Sequence, residues 1–164
     1  MRSKQNMRTT LFFAAFALVT ALPGVTAETA LVAQAHAAID ANHPDVAVAL
    51  LRSALAQSPN DSNVHYLLGV AYGDLAEKAN VFRQPSLARH SRDEFERAVQ
   101  LDPDNLDARY ALVEYYTLAP GFLGGNNQKA LAEAAEIRAR NAAFGNRAIA
   151  FINSGGIVPS VASR

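Results

Sequence analysis

Beyond residue 27 the chain shows little alternation of apolar and polar positions, while alanine and leucine recur at helical spacing between stops of asparagine, proline and glycine. That spacing gathers apolar side chains along one face of a helix, so helices are predicted throughout and strands nowhere. The first is predicted from Thr29 to Ala41, broken at Asn42-His43-Pro44. The second runs from Asp45 to Gln57 with Val46, Leu50 and Leu51 on its apolar face, Pro44 standing in its first turn. A third, from Asn63 to Ala79, carries Leu67, Leu68, Val70, Ala71 and Leu75. Pro85-Ser86 opens a fourth, with Leu87, Phe95, Ala98 and Val99 inward, and Asp102-Pro103-Asp104-Asn105 ends it. Leu106 to Leu118 and Asn127 to Arg140 form the next pair, followed by a short helix from Asn146 to Asn153. Residues 154–164, beginning Ser154-Gly155-Gly156, are expected to be a flexible tail.

Each helical pair is too small to bury its own apolar faces, so stacking of successive pairs must supply the core. The series His65-x-x-Leu68-Gly69-x-x-Tyr72, then Phe95-x-x-Ala98 and Pro103, resembles the tetratricopeptide repeat, whose pattern is Trp-x-x-Leu-Gly-x-x-Tyr followed by Ala, Phe, Ala and Pro. A frame from Glu28 to Asp61 puts Ala35, Ala47 and Ala54 at the small positions, and a third copy starts at Leu106 with Leu112, Tyr116 and Ala130 in frame. The resemblance spans residues 28–143 and implies an all-α fold. Over residues 28–153 it takes the form of a right-handed solenoid of helical hairpins, about three repeats plus a short C-terminal helix. The chain departs from the pattern in three ways. The second repeat carries about ten extra residues between Gly69 and Ala98, and the third about five in the Ala119 to Gly125 loop. Ser91 replaces the usual alanine. Val113 and Ile137 are bulkier than the pattern, so looser packing is expected in the third repeat.

In this family the first helices of successive repeats line a concave surface that binds extended peptides or partner helices. Carried across, the groove positions are Val32, His36, Ile39 and Asp40, then Tyr66, Val70 and Asp74, then Tyr110, Glu114 and Thr117. The face is mixed and mildly acidic, with two tyrosines suited to anchoring a partner or, equally, to packing against neighbouring helices. The branch of the family that grips a peptide carboxylate needs lysines and asparagines at these positions, and they are missing here. A neutral or basic protein or peptide partner is therefore expected.

Charge and the chain start refine this picture. Arg2, Lys4 and Arg8 precede an apolar run from Leu11 to Leu22 and the small-residue ending Val25-Thr26-Ala27, the build of a secretory signal cleaved after Ala27. About 12 apolar residues are too few to cross a bilayer, which needs roughly 20. A periplasmic or secreted protein is expected, with no integral membrane segment after cleavage. Without the three leader cations, 12 basic groups face 15 acidic ones, a net charge of −3, which argues against nucleic acid. The absence of cysteine excludes disulfides, thiolate catalysis, zinc-cysteine sites and lipid attachment at the cleavage point.

Candidate chemistry is sparse. His36, His43, His65 and His90 form no i,i+4 pair and have no carboxylate at ligand spacing, so no metal site is assigned. No Gly-x-Ser-x-Gly turn or nucleotide loop occurs, and neither a catalytic residue nor a cofactor is assigned. Three features keep alternatives open. Gly124-Gly125 ahead of a helix with Lys129 nearby could hold a small anion. Phe144, Ile149, Phe151 and Ile152 could cover the end of the stack or drive self-association. Lys78, Arg83, Arg89, Arg92 and His90 make the first insertion basic, either as a docking patch for an anionic surface or as a solvated helix face.

Overall fold

The computed structural model describes residues 27–157. The expected leader lies outside them except for Ala27, as do residues 158–164 of the expected tail. Among the described residues the chain is all-helical: α1 (Ala27–Asp40), α2 (Pro44–Leu55), α3 (Ser62–Lys78), α4 (Gln84–Leu101), α5 (Leu106–Leu118), α6 (Asn127–Arg140) and α7 (Ala142–Asn153), with a 3-10 turn at Gly121–Leu123 before α6. Each helix packs on the next in sequence, α1 also reaches α3, and α5 reaches α7.

Local chemistry sets the helix ends. Asn42 adopts a left-handed φ of 62°, which asparagine tolerates, and turns the chain into Pro44 at the start of α2. Asp61, Asn105 and Asn141 cap α3, α5 and α7, each accepting the amide three residues on, from Val64, Ala108 and Phe144. Asn141 serves both as the end of α6 and the cap of α7. The last helix therefore starts at Ala142, ahead of the Asn146 that the apolar spacing alone indicates.

Two apolar clusters fill the interior. Ala35, Leu51, Val64 and Leu68 lead the one between α1, α2 and α3. Phe95, Leu112, Val113, Ile137 and Phe151 lead the one between α4, α5, α6 and α7, and Tyr66 packs against both. On α2 the buried stripe is Pro44, Ala47, Leu51 and Ala54, whereas Val46 faces outward. Alanine wins this face because the helices approach closely there: Ala35, Ala47, Ala54 and Ala130 are all fully buried. Val113 and Ile137 are fully buried as well, so the added bulk is housed inside rather than expelled. Ser91, in place of alanine, is buried and donates its hydroxyl to the Gly69 carbonyl at 2.8 Å.

The insertion expected between Gly69 and Ala98 does not form a long loop; its residues are mostly helical. The helices on either side, α3 of 17 residues and α4 of 18, leave a short connection around Val81 and Phe82. The Ala119 to Gly125 stretch contains the 3-10 turn, after which Gly124 has a φ of 99°. A side chain on Gly125 would strike the Ala119 carbonyl oxygen. Of the two apolar residues in this turn, Leu123 is buried and Phe122 exposed.

Candidate recognition groove

The long ends of α3 and α4 and the turn before α6 rise around α5 and enclose a cavity of about 700 Å³. Its floor is built from α3 and α5: Tyr66, Val70 and Asp74 from the first, Asp107, Tyr110 and Glu114 from the second. These residues meet because positions three or four apart share a helix face, and the two helices present those faces to the same space. The far wall comes from Pro85, Ala88, Ser91 and Phe95 of α4, and the rim from Val81 and Phe122. The rim residues are 73% and 75% exposed, unusual for large apolar side chains and a mark of surface that gains by being covered.

Both tyrosines pack and line the groove at once. Tyr66 is half-buried with its ring centroid 6.0 Å from that of Phe95, and Tyr110 lies 5.1 Å from Phe144 and 6.1 Å from Phe151. Each ring is thus braced against the core while also lining the cavity.

The electrostatics are one-sided. Asp74, Glu77, Asp107 and Glu114 line the cavity, and among the described residues no lysine or arginine does. Burial alone raises the Glu114 carboxyl above its usual range. Asp74 is also raised, first by burial and then by Glu77, with Lys78 opposing. The Tyr66 phenol moves up through burial, Asp107 and Glu114.

Five of the ten residues assigned to a groove from the sequence therefore come together: Tyr66, Val70, Asp74, Tyr110 and Glu114. The others do not join them. Val32 and Ile39 pack against the α1–α3 core, while His36 and Asp40 are exposed on α1. Thr117 turns its hydroxyl back to the Val113 carbonyl at 2.7 Å. The residues missed, above all Phe95, Ser91, Val81 and Phe122, belong to a second helix and to the insertions. The extra length in the sequence was the available signal for them.

At the Gly124-Gly125 turn, the first amides of α6, from Gln128 and Lys129, are accepted by Asn126, and the Lys129 ammonium lies 5.1 Å from the centre of the Tyr116 ring. Two of the amides that an anion there would use are thus engaged. Phe151 and Ile152 are buried, and Phe144 and Ile149 pack beside them, so α7 covers the end of the core. In the basic stretch, Arg92 pairs with Asp93 and reaches the Leu123 carbonyl, and Lys78 donates to that of Asn42. Arg83 and His90 meet Arg52, which sequence reasoning did not include, around Tyr72 and Phe82 in a second, smaller hollow.

Among the described residues no helix is long and apolar enough to cross a membrane, and no three acidic or histidine side chains converge as metal ligands. No protein-family model matches the chain, nor does any curated protein match it significantly.

Proposed function

We propose that this protein is a non-catalytic adaptor or scaffold of the cell envelope that holds a peptide or helix of another protein in the groove between α3, α4 and α5. In this reading the helices form a tetratricopeptide-like solenoid of about three repeats closed by α7, delivered to the periplasm or secreted after cleavage following Ala27. The observation that carries it is the convergence of Tyr66, Val70, Asp74, Tyr110 and Glu114 on one cavity with an exposed apolar rim. Rigid aromatic rings flanked by apolar surface supply most of the energy in protein interfaces. The repeat reading is supported by neighbour-to-neighbour packing and by a recurring hairpin junction. His65 faces the Pro59 carbonyl and Glu94, and Arg109 repeats this with the Pro103 carbonyl and Glu133.

A photo-crosslinking residue placed at Val70 tests the proposal. It should capture a discrete partner in the native compartment, whereas the same residue at the exposed Ala132 of α6 should not. Replacing Tyr66 and Tyr110 with alanine should weaken capture by about 2–4 kcal/mol. Because both rings also brace the core, Val81→Ser with Phe122→Ser provides a second variant that spares folding and should also reduce capture. Equal crosslinking from positions 70 and 132 would remove the groove assignment.

A further inference from the structure

Resting on the adaptor reading, the groove also defines the chemistry of what fills it. We propose that its occupant is a short apolar segment of a partner protein carrying a lysine or arginine, with that cation seated at Glu114 between Tyr66 and Tyr110.

Three observations converge on this occupant. The first is charge complementarity: four carboxylates and, among the described residues, no basic side chain line a cavity whose walls are otherwise apolar and aromatic. A neutral apolar segment would leave those carboxylates to lose water unpaired, and an acidic one would meet like charge. The second is the state of Glu114 itself. Among the described residues no hydrogen bond or ion pair reaches its carboxylate, whereas acids outside the cavity are engaged: Glu96 by Tyr116, Glu133 by Arg109 and Glu94 by His65. Asp74 has Lys78 close enough to offset part of its cost, whereas the Glu114 carboxyl is shifted by burial with no cation opposing. The third is the aromatic surround. Tyr66 and Tyr110 line the same cavity as Glu114, so the methylene stem of a long basic side chain could lie on ring surface while its charged end meets the carboxylate. Arg147, whose charge acts on Tyr110, is stacked over Phe144, 4.9 Å from its ring centre, and does not line the cavity.

The test uses the full chain and an acetylated, amidated heptapeptide, Leu-Lys-Ala-Leu-Ala-Lys-Leu, compared with versions in which both lysines are glutamine or glutamate. In an NMR titration the lysine peptide should shift the amides of Val70, Ala111 and Glu114. It should bind at least about tenfold more tightly than the glutamine peptide, with the glutamate peptide weaker still. Glu114→Gln should abolish the preference for lysine over glutamine while leaving the glutamine peptide's binding unchanged. The same change at Glu136, exposed on α6 and outside the groove, should alter neither. Four results would overturn the proposal: equal binding of the lysine and glutamine peptides, a preference that survives Glu114→Gln, no binding at millimolar lysine peptide, or light scattering that shows a second copy of the chain filling the groove. Capture from Val70 without any lysine preference leaves the adaptor reading intact and removes only this one. A lysine preference without capture removes the adaptor reading, and with it the partner protein as the source of the segment.

Discussion

His65 and Arg109 hold equivalent places in successive hairpins, and each solves the same local problem with a polar side chain. Both reach back to a proline carbonyl and across to a glutamate on the following helix, Arg109 at 2.8 and 2.6 Å, His65 at 3.1 and 2.6 Å. At each junction these bonds satisfy a proline carbonyl and join two successive helices. Gly69 shows the opposite kind of constraint. A methyl group on it would come within 2.5 Å of two atoms of the buried Phe95 ring. Alanine would gain about 1 kcal/mol in helix propensity, but overpacking costs about 1–3 kcal/mol, so Gly69→Ala should destabilise the fold in urea by up to about 2 kcal/mol. An unchanged or higher midpoint would show that Phe95 can move aside.

Among the helices, the caps do more than end a turn. Asn105 accepts the Ala108 amide and also donates to the Ser62 hydroxyl at 2.8 Å, and Ser62 in turn donates to the Ala98 carbonyl. One side chain thereby ties the starts of α3 and α5 to the end of α4. Asn126 caps α6 through two amides, and its tie to α5 runs through its backbone amide to the Tyr116 carbonyl, not through the side chain. Asn105→Ala should therefore cost about 1–2 kcal/mol and Asn126→Ala about 1 kcal/mol, read from paired thermal melts. Equal losses would mean that the Ser62 link contributes nothing. Most of this layer was legible beforehand, since α5 and α6 fall where apolar spacing and the Asn and Pro stops place them. The start of α7 was not, because Asn141 ends one helix and caps the next without the Pro or Gly that marks the other boundaries.

Across the whole molecule the groove imposes a cost that changes with pH. Folding raises the carboxyls of Asp74 and Glu114, chiefly by burial, so the folded chain holds these protons more tightly than the unfolded one. Stability from this source is highest when both are protonated and falls as pH rises from the ordinary carboxylate range through their raised values. Exposed Glu136, held down by Arg140, acts in the opposite sense, so the comparison must be between variants. Glu114 acts on the phenols of Tyr66 and Tyr110, with Asp107 also acting on the first and Arg147 opposing on the second, while the Glu114 carboxyl itself is shifted by burial alone. Glu114→Gln should raise the unfolding midpoint at about pH 7 and change it little at about pH 4. A gain of equal size at both values would assign the effect to packing instead of charge.

Helical periodicity and Asn, Pro and Gly punctuation determined the all-α class, most helix boundaries and the small residues at close approaches, because those properties depend on neighbours a few positions apart. Tertiary structure decided which half of the candidate face becomes a cavity. The expected insertions became helix and a 3-10 turn, walling in α3 and α5 while leaving α1 outside, and Phe95, Val81 and Phe122 entered from elements that no local pattern connects to Glu114. Burial, and with it the unpaired charge of Glu114, belongs to the packed chain alone, since solvent is excluded only after distant segments meet.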